Sequence, residues 1–431
     1  MIIYKLPLGT IKNYIRFYGN YNRQNYRVKF KNISAHFYII MSAISGHTYI
    51  QEPFPANRRI GGIFLERYPV LEINQALIRN NASIIFNLCK SEGIEPAAVI
   101  KGFNALPQII EPILDAGYTT LASSRIPHLV SIQDKNYPVE AMLIRIPMLS
   151  EAEDVVRFSN ISLNSELKMI ELLDRIARNI GAKHKVILMR DLGDLREGIF
   201  NRERFVETAC KVARNYSGVV LHGVGTNLGC YGSVMPTTEN LSQLVEDARE
   251  IERHIGRKLD VVSGGSTTSI PLLAMGGMPE GINHLRIGEA NVLAHDLAGF
   301  FGCPLPGHTN NTLTLKAEII EIGEKPTHPV GKLGINWFGE TPVYEDRGVR
   351  RRAILGIGAF DLGAPEKLVP KDKHIKLLGS SSDHTIIDIH DCKTPYSLGD
   401  IVSFTLCYQN MLFSTANPLI HKKITMTHQR G

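Results

Sequence analysis

Four short stretches of this 431-residue chain carry residue types at spacings that could do chemistry. Lys101 closes the apolar run Ala-Ala-Val-Ile at 97–101. Taken alone, a lysine in that place is a surface residue whose stem lies along apolar neighbours. Desolvated, its amine has a depressed pKa and can form a Schiff base with a carbonyl. The run SGGSTTSI at 263–270 has two glycines that let backbone amides approach an anion. The hydroxyls of Ser266, Thr267 and Thr268 can donate to the same anion; a plain Gly/Ser turn is the other reading. RIGEA at 286–290 sets Arg286 beside Gly288 and Glu289, whose backbone amides can serve the same group. A guanidinium only donates, and burying it unpaired is costly. DLGDLREG at 191–198 is either a charged helix-capping turn or a loop that sends Arg196 to a phenolate or carboxylate oxygen.

What would bring these stretches together is a regular alternation that begins near Pro69. Eight apolar runs, at 97–101, 120–124, 141–146, 161–164, 185–191, 218–225, 260–265 and 284–289, are each suited to a buried strand. Between them lie stretches such as SELKMIELLDRIARNIG and ENLSQLVEDAREIERHIG, whose apolar residues recur at three and four and which stop at glycine. Strands apolar on both faces and separated by helices predict a parallel sheet, and eight such units over about 200 residues predict a closed (β/α)8 barrel. The active site of that fold lies at the carboxyl ends of its strands, with phosphate bound after strands seven and eight. All four stretches fall at strand ends, and the glycine-serine run follows the seventh.

After about Pro304 the pattern becomes strand-like, as in LTLKAEIIEIG, RRAILGIGAF, TIIDIHD and DIVSFTLCY, with Gly, Pro and Asp between. The fold class expected is therefore α/β, an N-terminal (β/α)8 barrel followed by an all-β C-terminal domain. The expected division is an atypical Tyr/Asn/Arg/Lys-rich extension at 1–65, disordered or loosely packed, the barrel at 66–305, the β domain at 306–420 and a tail at 421–431.

Composition narrows the class. Hydrophobic residues are 44% and charged residues 21%, ordinary for a soluble globular protein. Much of the net charge of +6 lies in the first sixty residues and the last ten, so it gives no reason to expect a nucleic-acid partner. No apolar run nears the ~20 residues of a membrane span. The six cysteines are widely spaced, with no CxxC pair or Cys/His cluster, so no metal site is indicated and reduced thiols in the cytoplasm are expected.

Together and in this order, YPVLEIN, AVIKGFN, LASSRIPHL, ILMRDLGDLREGIF, GVGTNLGCYG, SGGSTTSI and HLRIGEA resemble the alanine racemase family of fold-type III pyridoxal-phosphate enzymes, and within it the ornithine racemase branch. In the second domain the matching stretches include RRAILGIGAFD and LGSSSDHTIIDI, and the likeness spans about residues 66–418. The resemblance implies a racemase of a free amino acid, ornithine or a related basic one. It implies pyridoxal 5'-phosphate held on Lys101, with Arg286 facing the pyridine nitrogen and Ser266, Thr267, Gly288 and Glu289 around the phosphate. Asn227 stands where the family has a ring-contacting residue, and Arg196 where it has an arginine near the phenolate oxygen. It also implies a homodimer whose β domains complete each other's sites.

Two family tyrosines are missing. Gly358-Ala359-Phe360-Asp361 stands where alanine racemases carry a catalytic tyrosine, and Ala105 where they carry a phosphate-binding one. The second base is therefore open among Asp361, Asp383 and His384, the last two in the turn SSSDH at 380–384; a histidine beside an aspartate in a turn is also an ordinary structural feature. Rival readings are a decarboxylase or other enzyme of the same fold, separated by release of carbon dioxide, and a non-catalytic cofactor-binding homeostasis protein, separated by absence of turnover.

Overall fold

The computed structural model describes residues 57–60, 63–335, 339 and 341–425. Most of the extension expected at 1–65 lies outside the described residues; at its end, β1 (Asn57–Ile60) and β2 (Ile63–Glu66) form an antiparallel hairpin. After β3 (Val70–Asn74) come the eight strands expected from the apolar runs: β4 (Glu95–Val99), β5 (Thr120–Ser123), β6 (Glu140–Leu143), β7 (Ile161–Asn164), β8 (His184–Met189), β9 (Val219–Gly225), β10 (Val261–Ser266) and β11 (His284–Ile287). Each pairs in parallel with the next, and β11 pairs with β4, so the barrel is closed. A helix follows every strand, from Pro107–Leu114 after β4 to His295–Gly299 after β11.

Alternation along the strands sorts the two sides of the barrel wall. Ala97 and Val99, Ile161 and Leu163, and Ile187 and Met189, each pair two residues apart, form one small apolar cluster with Ala122 and Met142 inside the barrel. Their neighbours Ala98, Leu121, Leu143, Val186 and Leu188 belong to the larger core between strands and helices. The same parity sends Ser263, His284 and Arg286 inward, opposite the apolar cluster. Gly225 allows this crowding, since a β-carbon there would sit 3.1 Å from the Ser263 β-carbon and 3.3 Å from the Met189 sulfur.

The second sheet has eight strands. β12 (Leu313–Pro326) is its axis, pairing with β13 (Val349–Leu355), β17 (Ile401–Thr405) and β3; β14 (Val369–Pro370), β15 (Lys376–Ser380), β16 (Thr385–Asp388) and β18 (His421–Thr425) complete it. Two features differ from the sequence reading. Val70–Asn74, inside the 66–305 segment expected as barrel, pairs with Leu313–Lys316, and His421–Thr425, expected in the tail 421–431, pairs in parallel with β3. An apolar run shows that a segment is a buried strand but not which sheet buries it. The expected all-strand region also holds a nine-residue helix, Tyr408–Ala416, at the end of the run read as DIVSFTLCY.

A buried ion-pair cluster ties the loop after β8 to the helix layer. Arg190 donates to Asp247 at 3.2 Å and to the carbonyls of Asp191 and Ile199 at 2.6 and 2.8 Å; Arg202 donates to the same carboxylate at 2.7 Å. The Asp247 side chain is only 2% exposed. Removing one partner of a buried pair strands the other charge. Asp247→Ala is therefore expected to cost about 3–5 kcal/mol in urea denaturation, and Arg202→Ala, whose side chain is half-exposed, distinctly less.

Candidate active site at the barrel mouth

β4 ends at Val99, so Lys101 is not the last strand residue; it opens a 3-10 turn, Lys101–Phe103. The turn is fastened by Ile100 N donating to the Ala122 carbonyl at 2.8 Å and by Ala105 N donating back to the Ile100 carbonyl at 3.1 Å. It closes through two left-handed residues, Asn104 and Ala105, both at φ 52°. Lys101 is mostly buried, so desolvation lowers its pKa. Arg196 and Arg286 push it down further, against Cys230 and Glu197.

Arg286 is 4% exposed and lies in β11 beside β4. It donates to the Ser263 hydroxyl and, at 2.8 Å, to the Thr226 carbonyl. Ser263 in turn faces His284 Nδ1 at 2.9 Å. Burial, then Arg286, push the His284 pKa down to about 3, so the imidazole is neutral and Nδ1 can accept the Ser263 proton in one of its tautomers. Desolvation takes Arg286 itself down to about 10, which still leaves it charged at neutral pH.

The segments expected to hold phosphate meet here. Ser266 pairs in register with Arg286 as the last residue of β10, rather than standing in a loop beyond it. Its hydroxyl lies 3.1 Å from that of Thr268, and Thr268 donates to the Leu228 carbonyl at 3.0 Å. Thr267 accepts from Gly288 N at 3.3 Å. Glu289 opens the 3-10 turn Glu289–Asn291, and its Oε1 accepts from Asp296 N at 3.2 Å. Burial raises its pKa to about 8, so it is chiefly uncharged at pH 7. Its Oε2, the Thr226 hydroxyl and Asn227 Nδ2 are buried with no protein partner. Asn164, another polar strand end, instead bonds Ser162, and Ser162 bonds His184, on the helix side of the wall.

Arg196 grips Glu197 through two nitrogens and donates to the Cys230 sulfur at 2.8 Å. The loop is not a helix cap: Asp194 accepts from Cys230 N and Tyr231 N, joining it to the loop after β9, and the next helix starts only at Arg202.

The second-base candidates form a separate group on the β domain. Phe360 N donates to the Ser382 carbonyl at 3.0 Å, which joins the 358–361 turn to the 380–384 turn. Asp361 accepts from Asn417 Nδ2 at 2.6 Å and from Gly358 N at 3.1 Å, and burial raises its pKa. Asp383 accepts from Ser382 at 2.5 Å, and His384 Nδ1 lies 3.5 Å from the Ser381 hydroxyl. Asp383 and His384 are exposed, and neither contacts Lys101. Phe360 and Asn417 do line a groove of about 600 Å³ with Lys101, Arg125, His128 and Tyr408.

Tyr408 was not singled out in the sequence, because it looked like the end of a strand. It opens the helix Tyr408–Ala416 and packs so closely on the lysine turn that a β-carbon on Gly102 would sit 2.8 Å from its ring. Burial raises its pKa.

Comparison with known proteins bears on this site. The family model described as alanine racemase, N-terminal domain, matches residues 73–295. An ornithine racemase from Acetoanaerobium sticklandii is 40% identical over 357 residues, covering 83% of this chain and 99% of that protein. A lysine racemase from Thermotoga maritima is 36% identical, covering 82% and 98%. Among solved structures, an alanine racemase from Streptomyces lavendulae superposes with TM-score 0.65 at 14% identity over 84% of this chain and 99% of that one. A D-threonine aldolase from Filomicrobium marinum does so with TM-score 0.63 at 14% identity, covering 84% and 91%. These two likenesses show the fold alone. This chain belongs to the alanine racemase family, and its relatives at 40% and 36% identity place it among the amino-acid racemases.

The neutral histidines of the barrel wall have a consequence for stability. His284 at about 3 and His184 at about 4 lie below the 6.5 of an unfolded histidine. As pH falls below 6.5 the unfolded chain takes up protons that the native chain refuses. The stabilisation is thus complete above 6.5 and is lost down towards 3–4. Urea denaturation between pH 7 and 4.5 should show His284→Gln losing less stability on acidification than the wild type.

Proposed function

We propose that this chain is a pyridoxal-phosphate-dependent racemase of a basic free amino acid, ornithine or lysine, with Lys101 as the cofactor lysine. The observation that carries this reading is the charge balance at the barrel mouth. Lys101, Arg286 and Arg196 converge on one another with Glu197 as the opposing carboxylate, and burial holds Glu289 largely neutral. Three buried polar atoms there, on Thr226, Asn227 and Glu289, await a partner. A site that is net positive and short of hydrogen-bond partners fits an anionic, polar cofactor.

Lys101 would hold the cofactor covalently, and Ser266, Thr267 and the amides of Gly288 and Glu289 would hold its phosphate. Arg286 would donate to the ring nitrogen, Asn227 would contact the ring, and Arg196 would serve its phenolate oxygen. When bound, the cofactor acidifies the substrate's α-hydrogen by spreading the carbanion's charge into its ring. Lys101 would take and return the α-proton on one face, and burial shifts its pKa in the direction that favours the neutral amine. Inversion needs a second base on the opposite face. We assign it to the 358–361 and 380–384 turns of a second copy, with Asp361, Asp383 and His384 as candidates. Burial raises the Asp361 pKa, against the hydrogen bonds from Gly358 and Asn417. Phe360 is 66% exposed and Phe413 45% beside these turns, which supports a homodimer that covers them. The preference for a basic amino acid rests on the two racemases of highest identity quoted above. All six cysteines are free, which supports a reducing cytoplasm as the compartment. Among the described residues no helix is long and apolar enough to cross a membrane.

Deuterium wash-in at the α-carbon across L- and D-ornithine, lysine and alanine checks the function. Ornithine or lysine should exchange fastest, from either enantiomer, and end as equal amounts of both. Release of carbon dioxide, or exchange with alanine alone, contradicts the assignment.

A further inference from the structure

The turn that carries Lys101 is backbone-strained, and the strain falls where no catalytic group lies. Asn104 and Ala105 are consecutive non-glycine residues at φ 52°, a region L-residues enter at a cost. Within the same turn the Tyr408 ring packs on Gly102, where a β-carbon would sit 2.8 Å from it. One side-chain chain reaches this turn from the neighbouring strand. Ser123, fully buried at the end of β5, lies 2.9 Å from His128 Nδ1, and His128 Nε2 lies 3.1 Å from Asn104 Oδ1. The Ser123 oxygen also accepts from Arg125 N at 3.2 Å.

We infer that His128 is a positioning residue for Lys101: held by Ser123 through Nδ1, it donates from Nε2 to Asn104 and locks the left-handed turn that points the Lys101 amine into the barrel mouth.

The hydrogen-bond directions agree with one another. With the Ser123 proton on Nδ1, the imidazole carries its own proton on Nε2, where the Asn104 carbonyl oxygen can only accept. Burial and the nearby Arg125 lower the His128 pKa, so this neutral tautomer persists at physiological pH. The alanine at 105 leaves the turn without a long side chain of its own to anchor it. The ring nitrogens of His128 are bonded to Ser123 and Asn104 rather than to Lys101, so its proposed effect passes through the backbone between residues 101 and 105.

This inference rests on the reading of Lys101 as the reactive amine, and its test has a readout independent of turnover. Reductive methylation of Lys101 in the cofactor-free full-length chain, followed by mass spectrometry across a pH series, gives the pH at which the amine becomes reactive. The charged groups that face it, Arg196, Arg286, Glu197 and Cys230, are the same in every variant. In His128→Ala the turn relaxes and the amine gains water. Its midpoint should rise by about half a unit or more towards the ~10.4 of a free lysine. In the cofactor-loaded enzyme kcat should fall roughly 10-fold while KM stays within about twofold. Made on top of Asn104→Gly, where the left-handed conformation needs no support, the His128→Ala change should have no further effect on either quantity. Should His128→Ala fold poorly, Asn104→Ala, which removes the acceptor but keeps a β-carbon in the strained turn, should give the same rise in midpoint. A midpoint identical to wild type in the folded variant, or an undiminished His128 effect on the Asn104→Gly background, overturns the inference. A Lys101→Ala chain that still racemises would instead overturn the underlying assignment of Lys101.

Discussion

The site depends on a buried guanidinium on the inner wall of a closed barrel. Arg286 is desolvated and remains charged at neutral pH, so the wall around it must supply acceptors. Ser263 and the Thr226 carbonyl do so, from β10 and the end of β9. Keeping Ser263 available in turn requires a neutral His284 behind it, which burial ensures. Because β11 closes on β4, this fixed positive charge stands next to the strand that delivers Lys101, whose pKa is lowered by burial first, then by Arg196 and, more weakly, by Arg286. Barrel closure, polar wall and amine reactivity are thus one constraint, since opening the β11–β4 seam would separate the two cations.

That constraint also explains the choice of residues around it. Glu289 is mainly neutral because burial, and then the nearby Asp296 charge, raise its pKa, and Arg196 is paired with Glu197. The apolar half of the interior, from Ala97 to Met189, lowers the local dielectric and strengthens each of these effects. The fold itself does not set the reaction, since a threonine aldolase shares it as closely as an alanine racemase does.

Much of this was legible in the sequence because parallel-barrel strands are short, doubly buried and evenly spaced. All eight runs became strands, and Lys101, Ser266, Arg286 and Arg196 stand at one end of them. The boundaries were less legible. Ile100 and Lys101 read as strand because they continue an apolar run, whereas the left-handed pair at 104–105 turns the backbone away. β3 and β18 were misplaced because pairing with β12 is non-local and leaves no mark on their own residues. Tyr408 was hidden for a related reason: its contact with Gly102 spans the two domains. The second-base candidates were found only through the family likeness, since their own turns read as ordinary β-domain turns.

Reduction of the pyridoxal-phosphate-loaded protein with borohydride, followed by peptide mapping, tests the central assignment most directly. The account predicts one phosphopyridoxyl group per chain, on the peptide carrying Lys101, and none on the Lys101→Ala variant. A label on any other lysine, or no covalent label on a protein that racemises amino acids, would contradict it.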